Sequence, residues 1–159
     1  MGPLEQTAMA INDAALPVSL VIITGRNRKL KAHLERQTWN VPVYIYGFVR
    51  DMPDFMRASD ILVTKAGPGT ICEAFIAGLP LILYSRMPGQ EDGNVDYVVS
   101  EKAGVWAPTP DKVVYTIKDW LTHPQKRQKV VDTCHKLARP QAARQIGRIL
   151  AAGVGVVSK

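Results

Sequence analysis

This sequence predicts an α/β fold, an open parallel sheet wrapped on both faces by helices, and three observations predict it. Short runs such as "VSLVIIT" and "PLILY" are continuously apolar and rich in branched residues, the mark of strands buried on both faces rather than one. These runs alternate with helix-patterned segments, and parallel neighbours need such crossovers. The loops that follow the strands all carry glycine or charge, which decorates one edge of the sheet consistently.

The elements follow in order. Leu4 to Ala15 reads as a helix ended by Pro17, and Val18 to Thr24 as the first strand. "GRNRKLKAHLERQTW" is a glycine turn opening a polar helix. Val43 to Gly47 is the second strand, Met52 to Ser59 a short helix, and Asp60 to Thr64 the third strand. A glycine-rich turn precedes a helix from Thr70 to Ala77, in which Ile71, Ala74, Phe75 and Gly78 form the face that packs on the sheet. Pro80 to Tyr84 is the fourth strand. The polar loop from Ser85 to Asn94 leads to a helix from Val95 to Lys102, a brief "GVWA" strand, and terminal helices broken at Pro124 and Pro140.

With 159 residues, 47% of them hydrophobic, the chain can bury one core and is expected to form a single domain. No apolar run approaches the ~18 residues of a membrane span, and the first residues lack the pattern of a secretory signal. Cys72 and Cys134 do not suggest a bridge, which favours a reducing compartment. A net charge of +6 favours an anionic partner. The basic residues after Lys118 read as solvated helix faces, and paired strand aromatics of the RNA-binding kind are lacking, so no nucleic-acid partner is expected. His33, His123 and His135 show no metal-ligand spacing and read as ordinary surface or helix residues. No nucleophilic triad is visible, and no metal or cofactor is called for.

Ligands of open parallel sheets sit beyond the carboxyl ends of the strands. Four loops meet there: "GRNRK", "GFVRDM", "KAGPGT" and "SRMPGQEDGN". In the third, Gly67 and Gly69 clear the approach to a helix N-terminus, whose unpaired N–H groups attract an anion. Thr70 can cap that helix or donate its hydroxyl to a phosphate. The pair Thr70 and Glu73 also fits a capping box, so Glu73 has two readings, one structural and one ligand-binding. The spacing fits neither the dinucleotide fingerprint nor the triphosphate P-loop. Gln90, Glu91, Asp92 and Asn94 gather amides and carboxylates suited to sugar hydroxyls, or form an ordinary polar surface loop. Arg26 suits a phosphate or a solvated turn equally.

The stretches "ITGRNRKL", "TKAGPGTICEA" and "PGQEDGNVDYVV" together resemble the C-terminal half of the monogalactosyldiacylglycerol synthases. They are similar, more distantly, to bacterial diacylglycerol glucosyltransferases and the peptidoglycan N-acetylglucosaminyltransferase MurG. The resemblance covers nearly the whole chain. It implies a GT-B fold of two Rossmann-like halves, of which this chain is the C-terminal, UDP-sugar-binding one. It gives the donor diphosphate to Gly67, Pro68, Gly69 and Thr70, and the ribose hydroxyls to Glu73. Uracil falls to the backbone around Phe48 and Val49, the sugar hydroxyls to Gln90 and Glu91 with Asn94 beside them, and a place near the phosphates to Arg26.

The family also carries a strand and a glycine-rich loop just ahead of "MGPLEQTA", so the resemblance implies a domain truncated at its N-terminus, with a long apolar sheet edge left unpaired. The implied reaction transfers a hexose, galactose favoured over glucose, from its UDP ester to diacylglycerol with inversion. The acceptor site and the catalytic base are expected in a separate or missing N-terminal half, which would leave this chain inactive alone. A non-catalytic UDP-sugar-binding module, or a split-enzyme subunit served by a separate acceptor-binding chain, is the alternative. By analogy the protein belongs at a plastid envelope or the cytoplasmic face of a bacterial membrane, in peripheral contact.

Overall fold

The computed structural model of the protein describes residues 2–153. The expectation attached to Met1, that it falls within a longer loop, lies outside the described residues. Helices and strands alternate as α1 (Pro3–Asp13), β1 (Leu20–Ile23), α2 (Arg28–Leu34), β2 (Val43–Tyr46), α3 (Met52–Arg57), β3 (Leu62–Lys65), α4 (Pro68–Ala77), β4 (Leu81–Ser85), α5 (Asp92–Ser100) and β5 (Gly104–Trp106). Then come α6 (Pro110–Thr122), α7 (Pro124–Leu137) and α8 (Ala142–Gly153). Every element read from the sequence is present.

Two helix starts differ from expectation. α4 begins at Pro68, two residues ahead of Thr70, because proline suits the first helical position, where its missing N–H is not needed. Gly67, in extended conformation, is the N-cap, and no side chain caps the helix. Thr70 is therefore inside the first turn and is not the cap, which removes the capping box. α5 likewise starts early, at Asp92. Its first turn comes from the polar loop rather than from the apolar run beginning at Val95.

All strand pairs are parallel. β4 is the centre: Leu81, Ile82, Leu83 and Tyr84 are all buried, which is why this run shows no polar alternation. Leu81 and Leu83 pack with Ile71, Phe75 and Val98 beneath α4, α5 and α7. Ile82 and Tyr84 pack on the opposite face with Ile11, Val113, Ile117 and Trp120 from α1 and α6. Buried Ala8, Ile22 and Leu34 make a smaller cluster under α1 and α2.

The sheet is interrupted. Among the described residues β1 pairs only with β2, while β3, β4 and β5 form a separate three-stranded ribbon. The facing edges of β1 and β3 line one void of about 870 Å³. β1 and β3 thus each leave one edge unpaired among the described residues.

His33 has a role its sequence context did not reveal. Its Nε2 lies 2.8 Å from the Glu5 carboxylate, which is buried, so this pair ties α2 to α1. His135 packs against Gly78, whose φ of 70° ends α4 in the left-handed region that favours glycine.

Candidate functional site

Within each sheet the strands are parallel, so the loops after β1 and β2 share one edge and those after β3 and β4 share one edge of the other sheet. The N-terminus of α4 follows β3 directly. The N–H of Ala66 is used by Ser85 O, and the first bond into the helix runs from Ile71 N to Gly67 O. Pro68 has no N–H, so the amides of Gly69 and Thr70 are left without a backbone acceptor. A Cβ at Gly69 would meet nothing within 4 Å. Its glycine therefore serves no packing need of the chain itself, and the space in front of these amides is open.

Gly67, Thr70 and Glu73 line the slot between β1 and β3, together with Lys65 at the end of β3 and Glu91 from the next loop. Glu73 is exposed and bonds to no group near the helix start. That frees its carboxylate for something outside the chain. Pro68 and Gly69 are exposed beside it.

Glu91 divides its two oxygens. Oε2 accepts the Met87 N–H at 2.7 Å, closing the loop on itself, and Oε1 points to Gly67, 4.0 Å from where a Cβ would stand. Asp92 Oδ2 accepts from Gly89 N at 2.8 Å, fixing the same loop from its other end. Asn94 donates Nδ2–H to Ala66 O at 2.8 Å, so its amide nitrogen ties α5 to the glycine turn. Gln90 is exposed, and its side chain makes no bond among the described residues.

A second cleft, of about 670 Å³, lies over the first two loops and is lined by Arg26, Arg28, Lys31 and Phe48 with Gly25 and Gly47. The Arg26 guanidinium sits 5.4 Å from the centroid of the exposed Phe48 ring. Neither Phe48 nor Val49 makes a backbone hydrogen bond to another backbone group among the described residues. The structure thus brings Gly67, Thr70, Glu73 and Glu91 to one void and Arg26 and Phe48 to another, while Val49, Pro68, Gly69, Gln90 and Asn94 line neither.

Arg86 was not singled out from the sequence. It follows β4 directly, stacks 5.0 Å from the Trp106 ring centroid and pairs with Asp92, which sets a cation at the ligand edge. Its position just past an apolar strand was the available signal. Among the described residues no group of three or more His, Cys, Asp or Glu is placed to hold a metal ion.

The profile of the Glycosyltransferase family 28 C-terminal domain matches residues 4–146. The chain belongs to this family. Among curated proteins it is 45% identical over 150 residues to the probable monogalactosyldiacylglycerol synthase 2, chloroplastic, of Oryza sativa subsp. indica, covering 89% of this chain and 32% of that one. It is 41% identical to monogalactosyldiacylglycerol synthase 3, chloroplastic, of Arabidopsis thaliana over the same shares. This family 28 domain spans about a third of the length of those relatives. Among solved structures, Acinetobacter baumannii MurG superposes with a TM-score of 0.72 at 16% identity, covering 92% of this chain and 45% of that chain. The lipopolysaccharide glycosyltransferase WaaG superposes at 0.64 with 20% identity, covering 87% and 39%. The fold is accordingly that of a Rossmann-like GT-B glycosyltransferase half.

Proposed function

We propose that this chain is the donor-binding half of an inverting glycosyltransferase that moves galactose from UDP-galactose to diacylglycerol. One observation carries the reading: a helix N-terminus with two free amides and an unshielded approach opens beside an uncommitted carboxylate, in a chain 45% identical to a protein named as a galactolipid synthase. The identity of that relative favours galactose over glucose.

In this reading the diphosphate lies against the amides of Gly69 and Thr70, where the helix dipole and charge-assisted hydrogen bonds favour an anion. The Thr70 hydroxyl adds a donor. Glu73, one turn on, accepts from the ribose hydroxyls. The free backbone groups of Phe48 and Val49 face the uracil, while Gln90 and the Glu91 loop meet the sugar. Arg26 lends positive charge near the phosphates. The UDP-sugar is a substrate, and no further cofactor is needed.

In the transfer, the acceptor oxygen forms the new bond to the anomeric carbon as the bond to the phosphate oxygen breaks, and UDP departs with the electron pair. Oriented N–H groups stabilise the charge that develops on the leaving group. The acceptor proton passes to a general base. We place that base and the diacylglycerol site in polypeptide outside this chain, so the chain alone binds donor without turnover. Membrane contact in this reading is peripheral; no helix among the described residues is long and apolar enough to cross a bilayer. The setting proposed is the plastid envelope, from the chloroplastic relatives.

Calorimetry with UDP tests the reading. The chain should bind UDP with measurable heat, and Glu73→Ala should abolish it while leaving the melting temperature unchanged, because Glu73 is exposed. Unaltered affinity in that variant would remove Glu73 from the site.

A further inference from the structure

We infer that Arg86 is a positioning residue for the hexose end of the donor, acting through Asp92 on the turn that carries Gln90 and Glu91. The inference rests on the donor-site reading above. Arg86 lines neither void, so whatever it does for a ligand it does through a neighbour.

The turn is closed by short bonds. Gln90 N and Glu91 N both donate to Met87 O, at 3.2 and 2.9 Å, and Gly89 stands at a φ of 78°, in the left-handed region. Two carboxylates complete it: Glu91 Oε2 accepts from the Met87 amide and Asp92 Oδ2 from the Gly89 amide. The second bond fixes the glycine directly ahead of Gln90. The direction of the Gln90 side chain therefore depends on where the Asp92 carboxylate stands.

That carboxylate is held from its other oxygen. Asp92 Oδ1 is shielded from solvent and accepts no well-aligned hydrogen bond among the described residues. Its counter-charge is the Arg86 guanidinium, whose Nε lies 2.5 Å away. A carboxylate oxygen out of reach of water is stable only beside such a charge. Without the cation the carboxylate rotates toward water, and Oδ2 leaves Gly89.

Arg86 is itself anchored. Its guanidinium lies 5.0 Å from the Trp106 ring centroid. Trp106 ends β5, is in register with Leu83 of β4 and packs against the core beneath α4 and α5. A line of contacts thus runs from a fixed strand end, through Arg86 and Asp92, to Gly89 and Gln90. A lysine at this position keeps the charge but loses the planar stack. The pair is 36% and 45% exposed on its two sides, so it contributes little to global stability. Its effect is local, on the turn assigned to the hexose.

The experiment compares the unaltered chain with Arg86→Gln, Arg86→Lys, Asp92→Asn and the double variant Arg86→Gln with Asp92→Asn. Amide hydrogen exchange is read without ligand, and calorimetry is run with UDP and with UDP-galactose. The Gly89 amide should exchange about threefold or more faster in Arg86→Gln and in Asp92→Asn. UDP affinity should stay within about twofold, while the ratio of UDP-galactose to UDP affinity should fall by about fivefold or more. Arg86→Lys should recover part of that ratio. The double variant should lose no more than either single one, because each removes the same link. Melting temperatures should agree within about two degrees, which separates this role from a damaged fold. The inference is overturned if Gly89 exchanges equally fast in all of these proteins. It is overturned alone if UDP binds throughout and the ratio is unchanged, or if Arg86→Gln weakens both ligands by one factor, as a contact to the diphosphate would. Failure of the unaltered chain to bind UDP overturns the donor-site reading first, and this inference with it.

Discussion

Gly69 separates the needs of the fold from those of the ligand. It has ordinary helical neighbours and open space where a side chain would go. Gly69→Ala should therefore leave stability unchanged or raise it by up to about 1 kcal/mol, because alanine is the better helix former. The added methyl would stand in front of the free amides and should weaken UDP binding by about tenfold, roughly 1.4 kcal/mol. Thermal melts and calorimetry on one preparation measure both. The sequence showed this glycine but left its neighbour with two readings: a Thr-x-x-Glu spacing fits a capping box on paper, and the preference of Pro68 for the first helical position moved the helix start upstream of it. Ties such as Asn94 to Ala66 O and Asn12 to Thr38 O join residues 28 and 26 apart, and no local pattern announces them. The two cysteines, both free, differ as their surroundings do. Cys134 is fully buried beneath α4, donates toward Leu79 O at 3.3 Å, and its thiol is pushed up to about 11 by that burial. Iodoacetamide at about pH 8 should label the exposed Cys72 in the native protein and reach Cys134 only on unfolding. The raised value also fixes a sign. The folded state keeps its proton where the unfolded thiol, near 9, has begun to lose it, so this contribution is complete below about pH 9 and is lost as pH rises through 11. Urea midpoints should fall over that window, and fall less in Cys134→Ala.

At the scale of elements, strands and helices were legible because both signals are local: a continuous apolar run for the strands and a one-sided stripe for the helices. β5 shows where locality ends. Read from "GVWA", Gly104 looks like a dispensable strand residue. In the fold, a Cβ on it would stand 2.4 Å from Leu81 O and 2.8 Å from Val98 Cγ1, so β5 approaches β4 and α5 at a distance only glycine allows. Gly104→Ala should cost about 1–3 kcal/mol as β5 is forced outward. Gly93→Ala, where a Cβ meets nothing, serves as the control and should not lower the melting temperature. The contrast between two glycines of one domain is decided by a neighbour brought in by tertiary structure, which sequence spacing does not encode. The terminal helix is the opposite case. α8 buries none of its described residues and leaves Ile146, Ile149 and Leu150 exposed on one side. Its amphipathic stripe was readable, yet a stripe says only that something apolar could cover it.

For the whole molecule, the order of strands follows from the alternation of elements, but the break between β1 and β3 does not. Each strand reads as apolar on both faces whether or not a neighbour pairs with it, so composition is blind to an empty position between two of them. The break matters for binding because the slot and the candidate donor site are one continuous space: Lys65, Gly67, Thr70 and Glu73 line the same void as β1.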